Sequence, residues 1–412
     1  MSLAWASVAA LVIAVTLSCT TTINVGLISL VMALLVGVYM GGMSVNAVLA
    51  GFPVPLFVTL VGVTLVFSIA ETNGTLARVT GRAVRLCRGQ AGLLPLMFFA
   101  LGFVIATIGP GGTPASALLA PAAMAVAARA SIPPLLMAIT VGNGALAGTL
   151  SPFAPTGIVS AGVMTRIGLG GVEWQTFAYN ALAHSIVGLG GFLLLGGLGL
   201  FRRDRARVEA VAADSETLDS KQVMTLGGVL VFVTAVAVFK VDVGLAALVT
   251  ATVLTLLRAA DEAKAIQRVP WGVIVMVTGV TVLVSLMEKT KGMELFTDAL
   301  AAIATSGTVA PIVAFGTGVV SVYSSTSGVV LPAFLPTVPG LAERLGAEPL
   351  RIAWSMNVGS SLVDLSSLST VGALFMAGAA AGTDTRKMFN GLLIWGLSMT
   401  LVGAALAWVF FG

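Results

Sequence analysis

The sequence has 412 residues, of which 58% are hydrophobic and only 9% are charged, and its formal net charge is +4. A soluble domain carries about 25% charged residues, so this composition excludes most soluble classes and indicates an integral membrane protein. The basic excess lies in loops and reports orientation in the membrane rather than a nucleic-acid partner. The two cysteines, Cys19 and Cys87, form no disulfide or metal-ligand spacing motif.

Apolar segments follow one another along the chain. Each is near the ~20 residues that a helix needs to cross a bilayer, or is long enough to bend back. In the first half they are 4–20, 23–40, 56–72, 93–128, 134–165 and 177–201. After a charged stretch, the second half contains 223–239, 242–258, 271–287, 306–342, 350–381 and 388–411.

The second set of segments repeats the first. Asn24-Val25-Gly26-Leu27 corresponds to Asp242-Val243-Gly244-Leu245, at an offset of 218 residues. Glu71 corresponds to Glu288 at an offset of 217, and Asn143 to Asn357 at 214. A nearly constant offset indicates an internal repeat. We place the two copies at 1–201 and 222–412, joined by a cytoplasmic linker at 202–221.

The Lys and Arg residues predict the topology. When each half has five crossings and one re-entrant helical hairpin, at about 93–128 and 306–342, most basic residues fall on the cytoplasmic side. Those left outside are Arg166, Lys240, Lys289, Lys291, Arg344 and Arg351. An excess of Lys and Arg on the cytoplasmic side is typical of membrane proteins, so it supports this topology. An odd number of crossings inverts the second copy and places both termini outside. Amphipathic helices are expected on the two membrane surfaces, at about 74–90 and 289–304.

Two polar patches rich in Gly, Ser and Thr interrupt the apolar segments. The first is the Gly109–Ser116 tip of the first hairpin, which faces a segment at about 134–165 that prolines break. Backbone that leaves the helical path at membrane depth is tolerated only where protein buries it or where it lines a water-filled cavity. Free N–H groups at the tip favour an anion. Freed carbonyls, with the hydroxyls of Thr149 and Ser151, favour Na⁺ over a transition metal.

The second patch repeats this arrangement with other side chains. Ser324–Ser327 forms the tip of the second hairpin, opposite a broken helix at about 350–381 that carries Asp364. Ionisable groups inside a membrane span are costly and usually functional, so Asp364 is a candidate to bind a cation or a proton. An interhelical hydrogen bond is the alternative. For both patches the competing interpretation is helix packing, because small residues line many helix contacts in membranes.

Other ionisable residues carry less information. His184, the single histidine, is expected to be a satisfied packing residue. Glu71 and Glu288 are expected to cap helices or form salt bridges near opposite membrane surfaces. The chain has no GxxxxGKS/T motif for ATP, no metal-ligand cluster at enzyme spacing, and no nucleophile paired with a base. These observations argue against ATP drive and against an enzyme.

The Thr21–Leu27 opening and the paired hairpins resemble the MatC-type malonate/dicarboxylate carriers, within the divalent anion/sodium symporters of the ion transporter superfamily. The resemblance covers nearly the whole chain. It implies an elevator-type homodimer that binds a dicarboxylate with Na⁺ between two Ser-Asn-Thr hairpin tips. The matching tips here, Gly111-Gly112-Thr113 and Ser324-Ser325-Thr326, lack the Asn. Asn143 and Asn357 are candidates to supply that amide.

The sequence therefore predicts an all-α polytopic membrane protein with two inverted-topology repeats, each of five transmembrane helices plus one re-entrant helical hairpin. It predicts a secondary transporter of the bacterial inner membrane that imports a small dicarboxylate, with malonate as the leading candidate, Na⁺ as coupling ion and no organic cofactor. Expected substrate-binding residues are Gly112, Thr113, Asn143, Thr156, Ser325, Thr326, Asn357 and Thr370. Candidate Na⁺ ligands are Gly111, Gly148, Thr149, Ser151, Ser324, Ser327, Asp364, Ser366 and Ser369. The alternatives are a proton-coupled carrier that uses Asp364, a channel or an intramembrane enzyme.

Overall fold

The fold is given by a computed structural model that describes residues 2–21, 23–76, 78, 90–202, 218–323, 325–379 and 383–412. Every regular element in these ranges is helical, which confirms the predicted all-α class. The first half contains α1 (Leu3–Thr20), α2 (Val25–Leu34), α3 (Val45–Leu49), α4 (Val54–Thr72), α5 (Leu93–Ile108), α6 (Gly112–Arg129), α7 (Pro134–Ala147), α8 (Pro155–Arg166) and α9 (Glu173–Leu194). The second half contains α10 (Ser220–Ala237), α11 (Val243–Leu256), α12 (Glu262–Arg268), α13 (Trp271–Lys289), α14 (Gly292–Ala301), α15 (Val309–Tyr323), α16 (Leu331–Phe334), α17 (Val338–Leu345), α18 (Pro349–Leu362), α19 (Thr370–Ala377) and α20 (Thr385–Phe411).

Four helices of the described chain, α4, α9, α13 and α20, are long and apolar enough to cross a bilayer. A fifth span results if Val309–Val322 and Thr326–Leu345, which meet at a bend of 119°, are taken together. Other predicted crossings correspond to shorter apolar helices, among them α2, α7 and α11, whereas the short apolar helix α5 is the first arm of the predicted hairpin. The chain is thus a multi-pass membrane protein. Within the described residues, fewer helices reach the length of a span than the predicted five per half. The predicted crossing at 134–165 is divided into α7 and α8 where glycine and proline interrupt the helix.

Glycines allow two pairs of helices from different halves to cross closely. A Cβ added at Gly26 of α2 would lie 2.1 Å from the carbonyl oxygen of Val275 on α13. One added at Gly279 of α13 would lie 2.1 Å from the carbonyl oxygen of Gly26. At the α4–α11 crossing, a Cβ at Gly62 would lie 3.2 Å from the carbonyl oxygen of Gly244. Small residues let membrane helices approach until their backbones are in contact. The α2–α13 and α4–α11 crossings therefore join the two halves through helix backbones.

Both predicted hairpin segments are broken at their polar tips. α5 and α6 are separated by Gly109–Gly111, where Gly109 and Gly111 have φ angles of 153° and 83°. Glycine adopts such angles at no steric cost. In the second half, α15 is followed by a π-helical turn at Thr326–Val330, which leads into α16 and α17. The polar runs of the sequence therefore mark helix breaks.

The two segments predicted as broken helices are also interrupted near their middle. Residues 148–154 separate α7 from α8, and residues 363–369 separate α18 from α19. α7 packs against α5, and α18 packs against α15, so each hairpin is held by the broken helix that follows it. Side chains from all four interrupted regions meet around one cavity.

Ion pairs connect the halves at two places. Arg268 Nη1 lies 3.0 Å from Glu71 Oε1, and Arg166 Nη2 lies 2.7 Å from Glu288 Oε1. The predicted salt-bridge role of both glutamates is confirmed. Since each pair joins a residue of one half to a residue of the other, the halves are tied together near the C-terminal ends of the long helices α4 and α13.

Three predicted features fall partly outside the described residues. Of the surface helix expected at 74–90, residues 77 and 79–89 are not described, whereas its expected counterpart at 289–304 contains α14. Residues 203–217 of the predicted linker lie outside the described part of the chain. So does Ser324, a predicted Na⁺ ligand.

Candidate transport site

A cavity of about 260 Å³ lies between the two hairpin tips and the two broken helices. Its polar lining comes from both halves of the chain: Thr113, Thr149, Thr156, Ser325, Thr326, Ser327, Asp364, Ser369 and Thr370. Apolar side chains complete the wall: Leu146, Met276, Val329, Leu368 and Val371. The structure thus brings together most of the predicted substrate and cation ligands that carry hydroxyls or a carboxylate.

The beginnings of four helical segments contribute to the wall. α6, α8, the π-helical turn and α19 each place a residue of their first turn there, namely Thr113, Thr156, Thr326 and Thr370. Ser325 and Ser369 cap two of these segments, accepting hydrogen bonds from the backbone N–H groups of Gly328 (3.1 Å) and Gly372 (3.2 Å). Helix N-termini carry partial positive charge and unpaired N–H groups, so this convergence favours an anion.

One carboxylate shares the wall with these helix beginnings. Thr326 Oγ1 lies 2.8 and 3.0 Å from the two carboxylate oxygens of Asp364, and Ser321 Oγ lies 3.4 Å from one of them. Thr326 Oγ1 also lies 2.6 Å from Ser321 Oγ and 3.0 Å from the carbonyl oxygen of Ser360. A hydroxyl has one proton to donate and a carboxylate none. The cluster therefore has more oxygen acceptors than protons, which suits a hard cation or an added proton.

No cationic side chain balances this carboxylate within the cavity. Among the described residues that line it there is no Lys, Arg or His. A buried charge is tolerated when it is paired or hydrogen-bonded, and the side-chain partners of the Asp364 carboxylate among the described residues are neutral hydroxyls. An anionic ligand in this cavity would therefore meet a like charge unless a cation or a proton accompanies it.

The first half contributes a hydroxyl that has no partner. Thr149 Oγ1 is buried and makes no hydrogen bond within the described part of the chain. It lies against the backbone of Gly112, where an added Cβ would be 2.1 Å away. Leaving a buried polar group unpaired costs ~1–3 kcal/mol, so this oxygen is suited to a bound ion, a ligand or water. Gly111 and Gly112 lie behind the wall and shape it through their backbone.

The structure places Asn143 and Asn357, which the sequence predicts as substrate ligands, outside the cavity lining. Both side chains are completely buried outside the cavity. The Asn143 amide donates to the carbonyl of Ile139 (2.9 Å), and its oxygen lies 2.9 Å from His184 Nδ1. The Asn357 oxygen accepts from Ser160 Oγ at 2.7 Å, and its amide donates to its own helix. These amides join helices, and His184 is the packing residue that the sequence predicts.

Other predicted Na⁺ ligands also lie outside the cavity lining. Ser151 Oγ donates to the carbonyl of Thr107 at 2.6 Å, so its hydrogen fixes the broken helix to α5. Ser366 Oγ accepts from the backbone N–H of Leu368 at 3.3 Å. Gly148 packs against α5, where a Cβ would lie 2.7 Å from the Thr107 nitrogen. These residues shape the interruptions rather than face the cavity.

Three residues at the site were not predicted from the sequence: Ser321, Ser360 and Met276. Ser321 and Ser360 hold Asp364 and Thr326. Ser360 acts through its backbone carbonyl, which residue type does not reveal, and the five-residue spacing of Ser321 and Thr326 does not place them on one face of a helix. Met276 lines the cavity from α13. Nothing in its local sequence distinguishes it from the other apolar residues of that helix.

Comparisons with known proteins agree with this architecture. Residues 1–149 match the family described as the N-terminus of the dicarboxylate carrier protein MatC. No curated protein sequence matches the chain. Among solved structures, the fold is similar to that of the YdaH transporter of Alcanivorax borkumensis, whose topology is described as unusual. The TM-score is 0.55 and the identity 15%, over 91% of this chain and 88% of that one.

These findings confirm the resemblance to MatC-type carriers, through the N-terminal family match and the transporter fold. At 15% identity the structural likeness shows the fold alone. The N-terminal match is to a carrier family and the similar fold is that of a transporter, so both comparisons are with transport proteins.

Proposed function

We propose that this protein imports a small dicarboxylate across the bacterial inner membrane, coupled to Na⁺, with malonate as the leading substrate. One observation carries the proposal: four helix beginnings meet at a cavity that holds a carboxylate and, among its described lining residues, no cationic side chain. The N-terminal match to a dicarboxylate carrier family supports the substrate class.

The size of the cavity supports a small substrate. Its volume of about 260 Å³ lies below the ~300–1,000 Å³ of pockets for drug-sized ligands. A short dianion could accept hydrogen bonds from backbone N–H groups and hydroxyls on opposite sides of the cavity. Thr113 and Thr156 lie on the side of the first half, and Ser325 and Thr370 on the side of the second. Binding of the dianion would then depend on helix dipoles and hydrogen bonds rather than on a cationic side chain.

The charge balance supports cation coupling. A dianion placed beside Asp364 requires positive charge, because like charges in a poorly solvated site repel strongly. Two positions offer oxygen ligands for Na⁺: the Asp364–Thr326–Ser321 cluster and the unpaired hydroxyl of Thr149. When a cation binds first, the anion site gains affinity, and by linkage the anion raises the affinity for the cation equally.

The inverted repeat is part of this proposal, and the glycine crossings support it. Under the sequence offset Gly26 corresponds to Gly244, and Gly62 to Gly279. Gly26 contacts Gly279 on α13, and Gly62 contacts Gly244 on α11. Such reciprocal contacts are expected of two copies related by a twofold axis. The homodimer and the elevator movement follow from the family resemblance.

The direct test is uptake of radiolabelled malonate into proteoliposomes that contain the purified protein. Replacing external Na⁺ with choline at constant pH should abolish accumulation, and unlabelled succinate should compete better than citrate. Uptake that is unchanged in choline would refute Na⁺ coupling. Absence of any malonate uptake in Na⁺, from protein that remains folded in detergent, would refute the substrate.

Proton coupling through Asp364 is a second candidate. It is favoured by the same surplus of acceptor oxygens, since one proton on the carboxylate would supply the missing donor. Under this mechanism an inward pH gradient would drive malonate uptake in choline. An Asp364→Asn protein that keeps full, pH-dependent uptake would remove this candidate.

A further inference from the structure

A second cavity, of about 480 Å³, adjoins the transport site. The two cavities share Thr113 and Thr370 in their walls. From this junction the second cavity extends along α4, α6 and α19 to Glu71 and Arg268. We call this second cavity the vestibule. Because Thr113 and Thr370 line both spaces, the vestibule lies directly beside the transport site and reaches from it to Glu71 and Arg268.

Arg268 is the only Lys, Arg or His among the described residues that line either cavity. Its side chain is 47% exposed and that of its partner Glu71 is 49% exposed, with 3.0 Å between Nη1 and Oε1. An ion pair this exposed is screened by water and weakly held. The guanidinium therefore remains available to another carboxylate.

The chemistry of the arginine suits a dicarboxylate. A guanidinium has five N–H donors in a planar fork that matches a carboxylate, and it is charged at every physiological pH. A single positive charge at the mouth of a low-dielectric cleft also raises the local concentration of anions. Since the Glu71 carboxylate contacts this guanidinium at 3.0 Å, a substrate carboxylate that binds there must compete with it.

We propose that Arg268 is an access site for the transported dicarboxylate, at which a substrate carboxylate replaces that of Glu71 on its way between the vestibule mouth and the Thr113–Thr370 junction. This inference rests on the proposed transport of a dicarboxylate. The positive-inside bias assigns Arg268 to the cytoplasmic side. In an importer the vestibule is then the release route, and Arg268 the last residue that the substrate contacts.

The chain offers a matched control for Arg268. Arg166 also pairs with a glutamate of the other half, Glu288, at 2.7 Å and with similar exposure. It lines neither cavity. Removing its charge changes the net charge and breaks a cross-half ion pair, as removing that of Arg268 does, but should leave the vestibule unaltered.

The first experiment tests the route without reference to the substrate. In a background with Cys19 and Cys87 replaced by serine, Ala117→Cys places a thiol in the vestibule wall, and Ala123→Cys places one in the buried core of the same helix. Because thiol reactivity depends on exposure, a charged, membrane-impermeant reagent should label Ala117→Cys at least about tenfold faster than Ala123→Cys, and only in inside-out vesicles. Equal labelling of the two, or labelling only in right-side-out vesicles, would overturn the proposed route.

The second experiment measures malonate counterflow in inside-out vesicles, in which Arg268 faces the added substrate. Arg268→Gln should raise KM about three- to tenfold, Glu71→Gln should lower KM, and Arg166→Gln should leave it unchanged. The shift should shrink at high ionic strength. Labelling of Ala117→Cys in the Arg268→Gln background shows whether the vestibule is intact in that variant.

The outcomes separate this inference from the function on which it rests. If wild-type vesicles carry no malonate, the proposed function fails and the access role fails with it. If wild type carries malonate but Arg268→Gln and Arg166→Gln have the same KM, the access role alone is overturned. A raised KM in Arg268→Gln with unchanged labelling of Ala117→Cys supports it.

Discussion

Replacing Asp364 with asparagine tests the charge balance on which the transport proposal depends. The variant keeps the size of the side chain and one carbonyl oxygen, and it removes the negative charge. Thr326 and Ser321, which contact the carboxylate at 2.8–3.4 Å, can turn their hydroxyls to accept from the new amide. The fold should therefore survive, while the proposed cation would lose the one charged ligand found among the described lining residues.

The magnitude follows from simple electrostatics. Two unit charges about 4 Å apart interact by ~4 kcal/mol at an effective dielectric constant of ~20. Part of this is offset because the carboxylate no longer has to be desolvated. A net loss of ~2 kcal/mol corresponds to a ~30-fold rise in the Na⁺ concentration for half-maximal uptake, at ~1.4 kcal/mol per tenfold.

The assay is malonate uptake into proteoliposomes as a function of Na⁺ at constant ionic strength and pH. Ser366→Ala is the matched control, since the sequence predicts Ser366 as a Na⁺ ligand and the structure places it outside the cavity lining. The control should retain the wild-type Na⁺ dependence. An Asp364→Asn protein with unchanged Na⁺ dependence would refute the reasoning. One that loses pH dependence instead would favour proton coupling.

Further predictions concern the tips and the buried amides. Gly112→Ala should abolish uptake, because its Cβ would meet Thr149 Oγ1 at 2.1 Å, whereas Gly190→Ala, which faces open space, should be silent in the same assay. Thr149→Val removes a buried, unpaired hydroxyl, so thermal denaturation should show unchanged or higher stability in Na⁺-free buffer, and uptake should show weaker Na⁺ cooperativity. If Thr149→Val transports with wild-type cooperativity, no cation binds there. Asn143→Ala should lower stability by ~1–3 kcal/mol, because it leaves His184 Nδ1 buried without its acceptor, and should leave KM for malonate unchanged; a raised KM would restore Asn143 to the binding site.

The sequence was sufficient to locate the helix breaks and most of the cavity. Glycine, proline and runs of serine or threonine are unusual inside apolar segments, and at membrane depth they require protein or a cavity around them. The nearly constant offset related the two patches to each other through residue spacing alone. The same offset relates two helix caps seen in the structure, since Asn24 and Asp242 correspond under it and each caps the helix that follows.

The orientation of individual side chains could not be read from the sequence. Asn143 and Thr149 lie six residues apart on one segment, yet the first faces His184 and the second faces the cavity. The difference depends on where α7 ends, because residues after Ala147 leave the helical path. Residue type alone does not show whether an amide bonds to a neighbouring helix or to a ligand. The close helix crossings follow from tertiary packing, which no local pattern specifies.

The two halves of the site differ in charge, and this difference assigns them different tasks. Leu150, which corresponds to Asp364 at the offset of 214, is a buried core residue, so the first half holds no ionisable group there. In the second half the hydroxyls of Ser321 and Thr326 are hydrogen-bonded to Asp364, which lowers the cost of a buried carboxylate. A bound cation would take the place of these hydrogen bonds, with the hydroxyl oxygens turned towards it, and its charge would then face the substrate. Under the proposed coupling, the second half makes anion binding depend on a cation, whereas the first half contributes neutral oxygens and the shape of the cavity.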